Sequence, residues 1–415
     1  MHDAGSAPPG ESPPVGPNGR APGAAQALVL IGLNAMPILA NASLVPSLPN
    51  FFKHYAAVPG SAFWVPMIIT LPTLCIGLFS AFAGMLADRW GRRRLILAAV
   101  SCFVVCGMAP LLFEELHWIL FARAGLGIAE ACTLTAGNAL MGDYFSGETR
   151  RKWLSYETIL GPIIGSVVLV TGGYLGTVWW RGPFLLYGIG LIVLVGALLL
   201  LWEPPRKRRD SVQVVPADGR FPWGTAALVS IGTLIAAMPF FSQNIQHGRI
   251  FAGLGLASSF EISLYATIAS VGTVLGAYTF RVLPARRIEQ SLVLVFGLFA
   301  VSFISLSFKP PLVLGTVLDA VGQFAGGMCY PAVLAWALSR FPQEYRGRGV
   351  GVWSGSFYVG AFVSGLAIST IGQYTDGFLG SLGVVGYACA AIAAALAVFN
   401  LRAAQSPAQS KAAVG

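Results

Sequence analysis

Three ionisable side chains lie inside strongly apolar sequence. The first two share one segment, Leu120-Phe-Ala-Arg123-Ala-Gly125-Leu-Gly127-Ile-Ala-Glu130-Ala. On a helix Arg123 and Glu130 fall two turns apart, on one face and about 10 Å from each other. The third, Asp319, opens a series at helical spacing with Gln323, Gly326, Gly327 and Tyr330. A charge in hydrocarbon costs about 2.5–3.5 kcal/mol on insertion scales and is by default a functional candidate. Two readings follow. Arg123 and Asp319 could form a permanent ion pair bracing two parts of the molecule. Alternatively the carboxylates carry protons and change charge with substrate occupancy, with Glu130, farther from the arginine and near mid-span, the first candidate carrier and Asp319 the second. Asn34 and Asn41 share a face around Pro37. With Arg123, Gln243, Gln323 and Tyr330 they are the candidate substrate contacts.

These residues need a membrane-spanning scaffold. The chain has 415 residues, 55% hydrophobic and only 10% charged, with a mean hydropathy of +0.71. A soluble domain is about 25% charged, so a cytosolic enzyme, a disordered chain and a secreted disulfide scaffold are excluded. Apolar runs near 25–46, 61–85, 94–113, 118–142, 153–175, 182–202, 222–243, 260–282, 290–308, 311–338, 349–372 and 378–401 are each long enough to cross a bilayer. The expected fold is an all-α membrane protein of twelve transmembrane helices. The six cysteines sit in apolar runs and read as packing residues. The four histidines lie in the tail or near helix ends, with no metal-ligand spacing.

The net charge of +9 is a topology signal rather than a nucleic-acid footprint. With the N-terminus inside, the outer loops hold only Lys53, Arg181, Arg249 and Lys309. Apart from Arg123, every other lysine and arginine falls on the inner side. Short loops follow the positive-inside rule, which puts both termini in the cytoplasm and the protein in the plasma membrane, as in a bacterial inner membrane. Residues 1–24 read as a disordered cytoplasmic tail without the marks of a signal peptide. Residues 25–203 form one six-helix bundle, 204–221 a cytoplasmic linker, 222–402 a second bundle, and 403–415 a cytoplasmic tail. The halves repeat: the offset that carries Phe145-x-x-Glu148-x-Arg150 onto Phe341-x-x-Glu344-x-Arg346 also carries Arg123 onto Asp319. Parallel six-helix repeats point to a transporter with its site between the halves.

The loop after the second run reads Gly84-Met-Leu-Ala-Asp88-Arg89-Trp-Gly91-Arg92-Arg93-Arg94-Leu. Gly84 permits close helix approach, and Gly91 makes the tight turn. Asp88 is placed to bond a facing helix end or Arg89. This loop resembles the signature of the major facilitator superfamily at every position and in the expected place. The Arg123 segment resembles the family's second signature, with Leu126 where Gln is common and with Glu130 added. Gly161-Pro162-Ile-Ile-Gly165-Ser166 partly resembles an element of the drug–proton antiporters. There Ser166 replaces a Gly, and Glu157 reads as an interfacial residue.

The resemblance implies two pseudo-symmetric bundles working by alternating access, with helices one, four, seven and ten lining a central cavity. Gly84, Asp88, Arg89, Gly91, Arg92 and Arg93 would act as a gate latch, and Gly161, Pro162 and Gly165 as gating packing. The expected activity is proton-coupled efflux of a small organic drug or metabolite, driven by the proton gradient, with no cofactor and no metal. Proton-coupled uptake of an organic anion anchored by Arg123 is the runner-up. The expected partners are the bilayer and a small-molecule substrate, with no nucleic acid and a monomeric state. A membrane-embedded enzyme would need a cluster of His, Cys or paired carboxylates, and a transport-dead sensor a long soluble appendage. Neither is present.

Overall fold

The computed structural model describes residues 21–204, 221–282, 288–342 and 345–405. Among these, twelve helical spans are long and apolar enough to cross a membrane: Ala24–His54, Ser61–Trp90, Arg92–Leu111, Leu116–Tyr144, Gly147–Val178, Gly182–Leu200, Trp223–Ile245, Ser259–Val282, Ile288–Ser307, Leu312–Arg340, Arg348–Ile371 and Gly377–Leu401. They are called spans 1 to 12. A short helix, His247–Gly253, lies between spans 7 and 8.

Several helices run past the apolar stretch. Span 5 was expected over 153–175 and occupies Gly147–Val178, because Arg150, Arg151 and Lys152 end the apolar run but are good helix formers. Span 1 is interrupted instead. Its α-helix stops at Ala42, a 3₁₀ turn covers Val45–Ser47, and a second helix runs Leu48–His54. Pro46 and Pro49 lack the N–H that a continuous helix would use. Gly91 alone separates spans 2 and 3, at φ 93°, a backbone region that glycine reaches without a Cβ penalty.

The packing repeats between halves. Within the first half, span 2 packs on 4, 3 on 4, 3 on 6 and 1 on 5. Within the second, span 8 packs on 10, 9 on 10, 9 on 12 and 7 on 11. Adding six to each member of the first set gives the second set, the signature of two bundles related by a pseudo-twofold axis. The main contacts between halves are related in the same way: span 2 meets 11, and span 5 meets 8.

Small residues set these approaches. Gly172 rests on the Ser43 backbone, Gly173 on Ser259 and Ser263, Gly77 on Gly355 and Tyr358, and Gly365 on Thr70. Without apolar solvation to drive association, membrane helices gain from such close packing.

Alternation of direction gathers Arg89, Arg92, Arg93, Arg94, Arg150, Arg151, Lys152, Arg281, Arg340, Arg346 and Arg348 at one end of the bundle, called the basic end. Lys53, Arg181, Arg249 and Lys309 lie at the far end. The halves meet from the far end to mid-depth. Val45 and Asn50 of span 1 touch Gly248 and Ser259 at the far end, and Gly77 touches Gly355 deeper in. At the basic end, the described polar bonds of Arg92, Arg93 and Arg340 stay within one half. The bundle is thus closed at the far end.

The tail 1–20, the linker 205–220, the basic loop 283–287, Glu344 of the second repeat motif and residues 406–415 lie outside the described residues. The six cysteines are free.

Glycine packing gives the first prediction. Gly276 of span 8 lies against the backbone of Phe324 in span 10, with no room for a Cβ. Overpacking costs about 1–3 kcal/mol, so Gly276→Leu lowers the melting temperature of detergent-purified protein, whereas Gly224→Ala, where space is open, leaves it unchanged.

Candidate functional site

Arg123 and Glu130 project from span 4 into the first half, and both are fully buried. Arg123 Nε donates to the Ile68 carbonyl at 2.8 Å, and its guanidinium carbon stands 5.1 Å from the centre of the Tyr187 ring. The Tyr187 hydroxyl donates to the Ala40 carbonyl at 2.7 Å. Spans 1, 2 and 6 therefore converge on this arginine. Its two terminal nitrogens and both Glu130 oxygens have no hydrogen-bond partner. Gly127, between them on span 4, lies against Pro72 and Cys75 of span 2, with no room for a side chain.

Asp319 is also fully buried, but it does not meet Arg123. The offset match between the two positions is real in the fold, since spans 4 and 10 are equivalent, yet each residue is held within its own half. Asp319 Oδ2 lies 3.0 Å from His247 Nε2. Gln243 donates to the Asp319 carboxylate and to its carbonyl at 3.2 Å. Gln323 contacts the same His247 nitrogen and accepts from Thr273 Oγ at 2.7 Å. The bracing Arg123–Asp319 pair is thus replaced by a His247–Asp319 pair. His247, read from sequence as a helix-end residue, is only 4% exposed. Its signal was its place two turns before Gly253 in a segment of mixed polarity, too weak to separate it from an interfacial histidine.

The candidate substrate contacts divide. Asn34 Nδ2 donates to Asn138 Oδ1 at 3.0 Å and to Glu157 Oε1 at 3.1 Å. Asn138 is exposed and Asn34 and Glu157 are half-buried, so this trio can be reached by a solute. Glu157 is a correction: it lies ten residues into span 5 instead of at its edge, because the helix begins at Gly147. Asn41 uses its amide on the Pro37 carbonyl at 3.0 Å, which bridges the helix at its proline. Gln243 and Gln323 are buried in the Asp319 network. Tyr330 keeps 45% of its surface and packs edge-on against Trp353 and Phe357. Phe240 and Phe241 pack on Phe357 as well, so spans 7, 10 and 11 share one aromatic group.

The motif loop is tied to its own half. Arg92 pairs with Asp143 and donates to the Ala139 carbonyl at 3.1 Å. Arg93 donates to the Leu201 and Leu198 carbonyls at 2.7 and 2.9 Å. The Glu203 carboxylate accepts from the Arg92 and Arg93 backbone N–H groups, both at 2.8 Å, and so caps the start of span 3 where the helix dipole favours an anion. From sequence Glu203 is only the last residue of the first bundle, before the linker. Asp88 is exposed, and no hydrogen bond or ion pair of its side chain lies among the described residues. Gly84 faces Thr135 of span 4, and Gly161 and Gly165 face Ile38 of span 1. Pro162 lies inside span 5. A cavity of about 410 Å³ lined by Gly147, Arg150, Arg151, Leu154, Ser155 and Thr158 opens at the basic end of span 5.

At the far end Arg249 bridges the halves. Its guanidinium carbon lies 4.6 Å from the Phe52 ring of the first half and 4.2 Å from the Phe378 ring of the second. Burial pulls the Arg249 pKa down to about 10, which leaves it a cation at neutral pH.

Twelve spans in two equivalent bundles, with buried charges in each half, define a multi-pass membrane transporter rather than an enzyme. The profile of the Major Facilitator Superfamily matches residues 30–364, and the chain belongs to that family. A multidrug efflux protein of Bacillus subtilis is 25% identical over 225 residues, covering 51% of this chain and 55% of that protein. A class C tetracycline resistance protein of Escherichia coli is 28% identical over 192 residues, covering 44% and 46%. The matches thus span about half the length of these relatives. Among solved structures, a bacterial homologue of the human lysosomal transporter Spinster, inward-facing and unoccupied, superposes with a TM-score of 0.73 at 16% identity, over 89% of this chain and 95% of that one.

Arg123 gives the second prediction. Arg123→Leu strips the Ile68 carbonyl of its charged donor, a loss of about 2 kcal/mol, read as a lower melting temperature. Arg123→Lys lacks the planar fork and falls between the two.

Proposed function

We propose that the chain exports a small organic compound, a drug or metabolite, in exchange for protons, by alternating access. The observation that carries this reading is Glu130: fully buried, with neither oxygen bonded. An ionised carboxylate without a donor is costly in such a place, and a bound proton removes the charge. Proton at Glu130 and substrate at the Asn34–Asn138–Glu157 trio would each bias the same inward–outward equilibrium, and they compete through it. Two relatives with names in drug efflux and drug resistance support export. Uptake of an organic anion is less well supported, because Arg123 is closed in by Ile68 and Tyr187.

In this reading the basic end is cytoplasmic by the positive-inside rule, as in a bacterial inner membrane, and the far end is outside. The closed far end makes this the inward-facing state. Asp88, exposed here, docks on the second half when the basic end closes, and the Gly84–Arg93 loop latches the outward-facing state. The proton gradient supplies the energy, with no cofactor, and the transporter acts as a monomer.

Two measurements test this. Adding candidate compounds to detergent-purified protein in weak buffer should release protons, and Glu130→Gln should abolish the release while binding persists. Binding without release in the wild type would sink the antiport reading. Asp88→Asn should slow transport in proteoliposomes about tenfold without changing which compounds are carried, since a charged hydrogen bond of about 1.5 kcal/mol is lost in one state only. Unaltered rates would remove the latch.

A further inference from the structure

Three observations converge on the short helix His247–Gly253. Its first residue, His247, is buried against Asp319. Its second, Gly248, lies against the Val45 carbonyl of span 1, in a space that no side chain could share. Its third, Arg249, is clasped between Phe52 and Phe378. Consecutive residues therefore contact a buried carboxylate of the second half, the broken backbone of span 1, and an aromatic ring from each half. A movement of His247 relative to Asp319 moves the far-end contact with it.

We propose that His247 and Asp319 form a second proton-binding site, and that its charge state sets the closure of the far end through the 247–253 helix. The proposal rests on the alternating-access reading but not on Glu130 as a proton carrier, nor on export.

The surrounding network is built to accept both charge states. His247 Nε2 faces the Asp319 carboxylate on one side and the Gln323 amide on the other. One ring nitrogen cannot donate to the carboxylate and accept from the amide at once. Gln323 meets Thr273 through its carbonyl oxygen. A hydroxyl both donates and accepts, so rotating the amide by half a turn keeps the Thr273 bond and offers an oxygen to a protonated ring. Imidazole is also the side chain that ordinarily changes charge between about pH 5 and 8.

Other ionisable groups on the packed elements leave Asp319 as the acid in contact. Span 8 brings Tyr265, its ring tilted against Phe251, and Glu261, which is exposed. The Leu48–His54 helix brings Lys53 and His54, both exposed, with His54 held by Glu114 and Trp180. The start of span 12 brings Asp376, also exposed. Span 7 contributes Gln243, and the short helix itself contributes Arg249.

The sign follows. A proton on His247 turns its contact with Asp319 into a charge-assisted pair. That holds the short helix down and keeps Val45, Phe52 and Arg249 together, with the far end closed. Loss of the proton weakens the pair and frees the far end to open.

The test uses spin labels at the exposed far-end positions Ala57 and Tyr374, one in each half, with Cys102 and Cys106 replaced by Ala so that the exposed thiol is not labelled. Distances are read in lipid nanodiscs at about pH 5.5 and pH 8. All variants carry Glu130→Gln, so that only the His247–Asp319 site responds. The expected result is a population shift toward longer distances at the higher pH, lost when His247→Gln or Asp319→Asn is added. Arg249→Gln, which cuts the lever but leaves the pair, should give the long distance at both pH values. No pH response in the unsubstituted protein overturns the proposal. So does a response that is absent in Glu130→Gln, or that survives when His247→Gln is added to Glu130→Gln. If the compound-induced proton release of Glu130 fails while the His247-dependent shift persists, the export reading falls and this one stands.

Discussion

A charge enclosed by membrane helices must find its partners inside the protein, and this constraint organises the molecule. Arg123 draws spans 2 and 6 toward span 4 through the Ile68 carbonyl and the Tyr187 ring. Asp319 draws span 7 and the short helix toward span 10 through Gln243 and His247. Bulk hydrophobicity does not hold the helices together, since lipid tails are as apolar as leucine. Each half is therefore fixed around its own polar centre, and the described partners of each centre lie within its own half. Two such self-sufficient bodies can rock against one another, because no buried ion pair described here crosses between them.

What does cross between them is of another kind. Glycines and serines line the contacts of span 5 with span 8, and of span 2 with span 11. Small residues let these backbones come close, with Tyr174 edge-on to Phe260 and Tyr358 against Gly77 as the larger side chains at the seam. Stronger contacts sit where one state must be held: the Arg249 clasp and the Asn50–Ser259 bond at the far end.

The number and order of the spans were legible in the sequence because hydropathy is a local property. The motif loop was legible too, since its glycines and charges are fixed by spacing. Pairing was not. Arg123 and Asp319 occupy equivalent positions in a repeat, and one of the two readings of them took equivalence for proximity: a pseudo-twofold axis makes two residues alike without bringing them together. His247 and Glu203 were missed for a related reason. Both lie at helix ends, where a polar residue usually needs no explanation, and only the fold shows that one is buried on Asp319 and the other caps a neighbouring helix. Glu157 was misplaced because the helix outran its apolar stretch by six residues, from 153 back to Gly147.

Glu203 has a wider consequence. The first half closes its own chain upon itself: the last described residues before the linker grip the turn between spans 2 and 3, with Tyr144 and Trp202 stacked beneath at 4.5 Å. The carboxylate that ends the first bundle thus finishes the loop that opens its third helix. Such a bundle carries its own fastening at the seam, made entirely by residues that precede the linker.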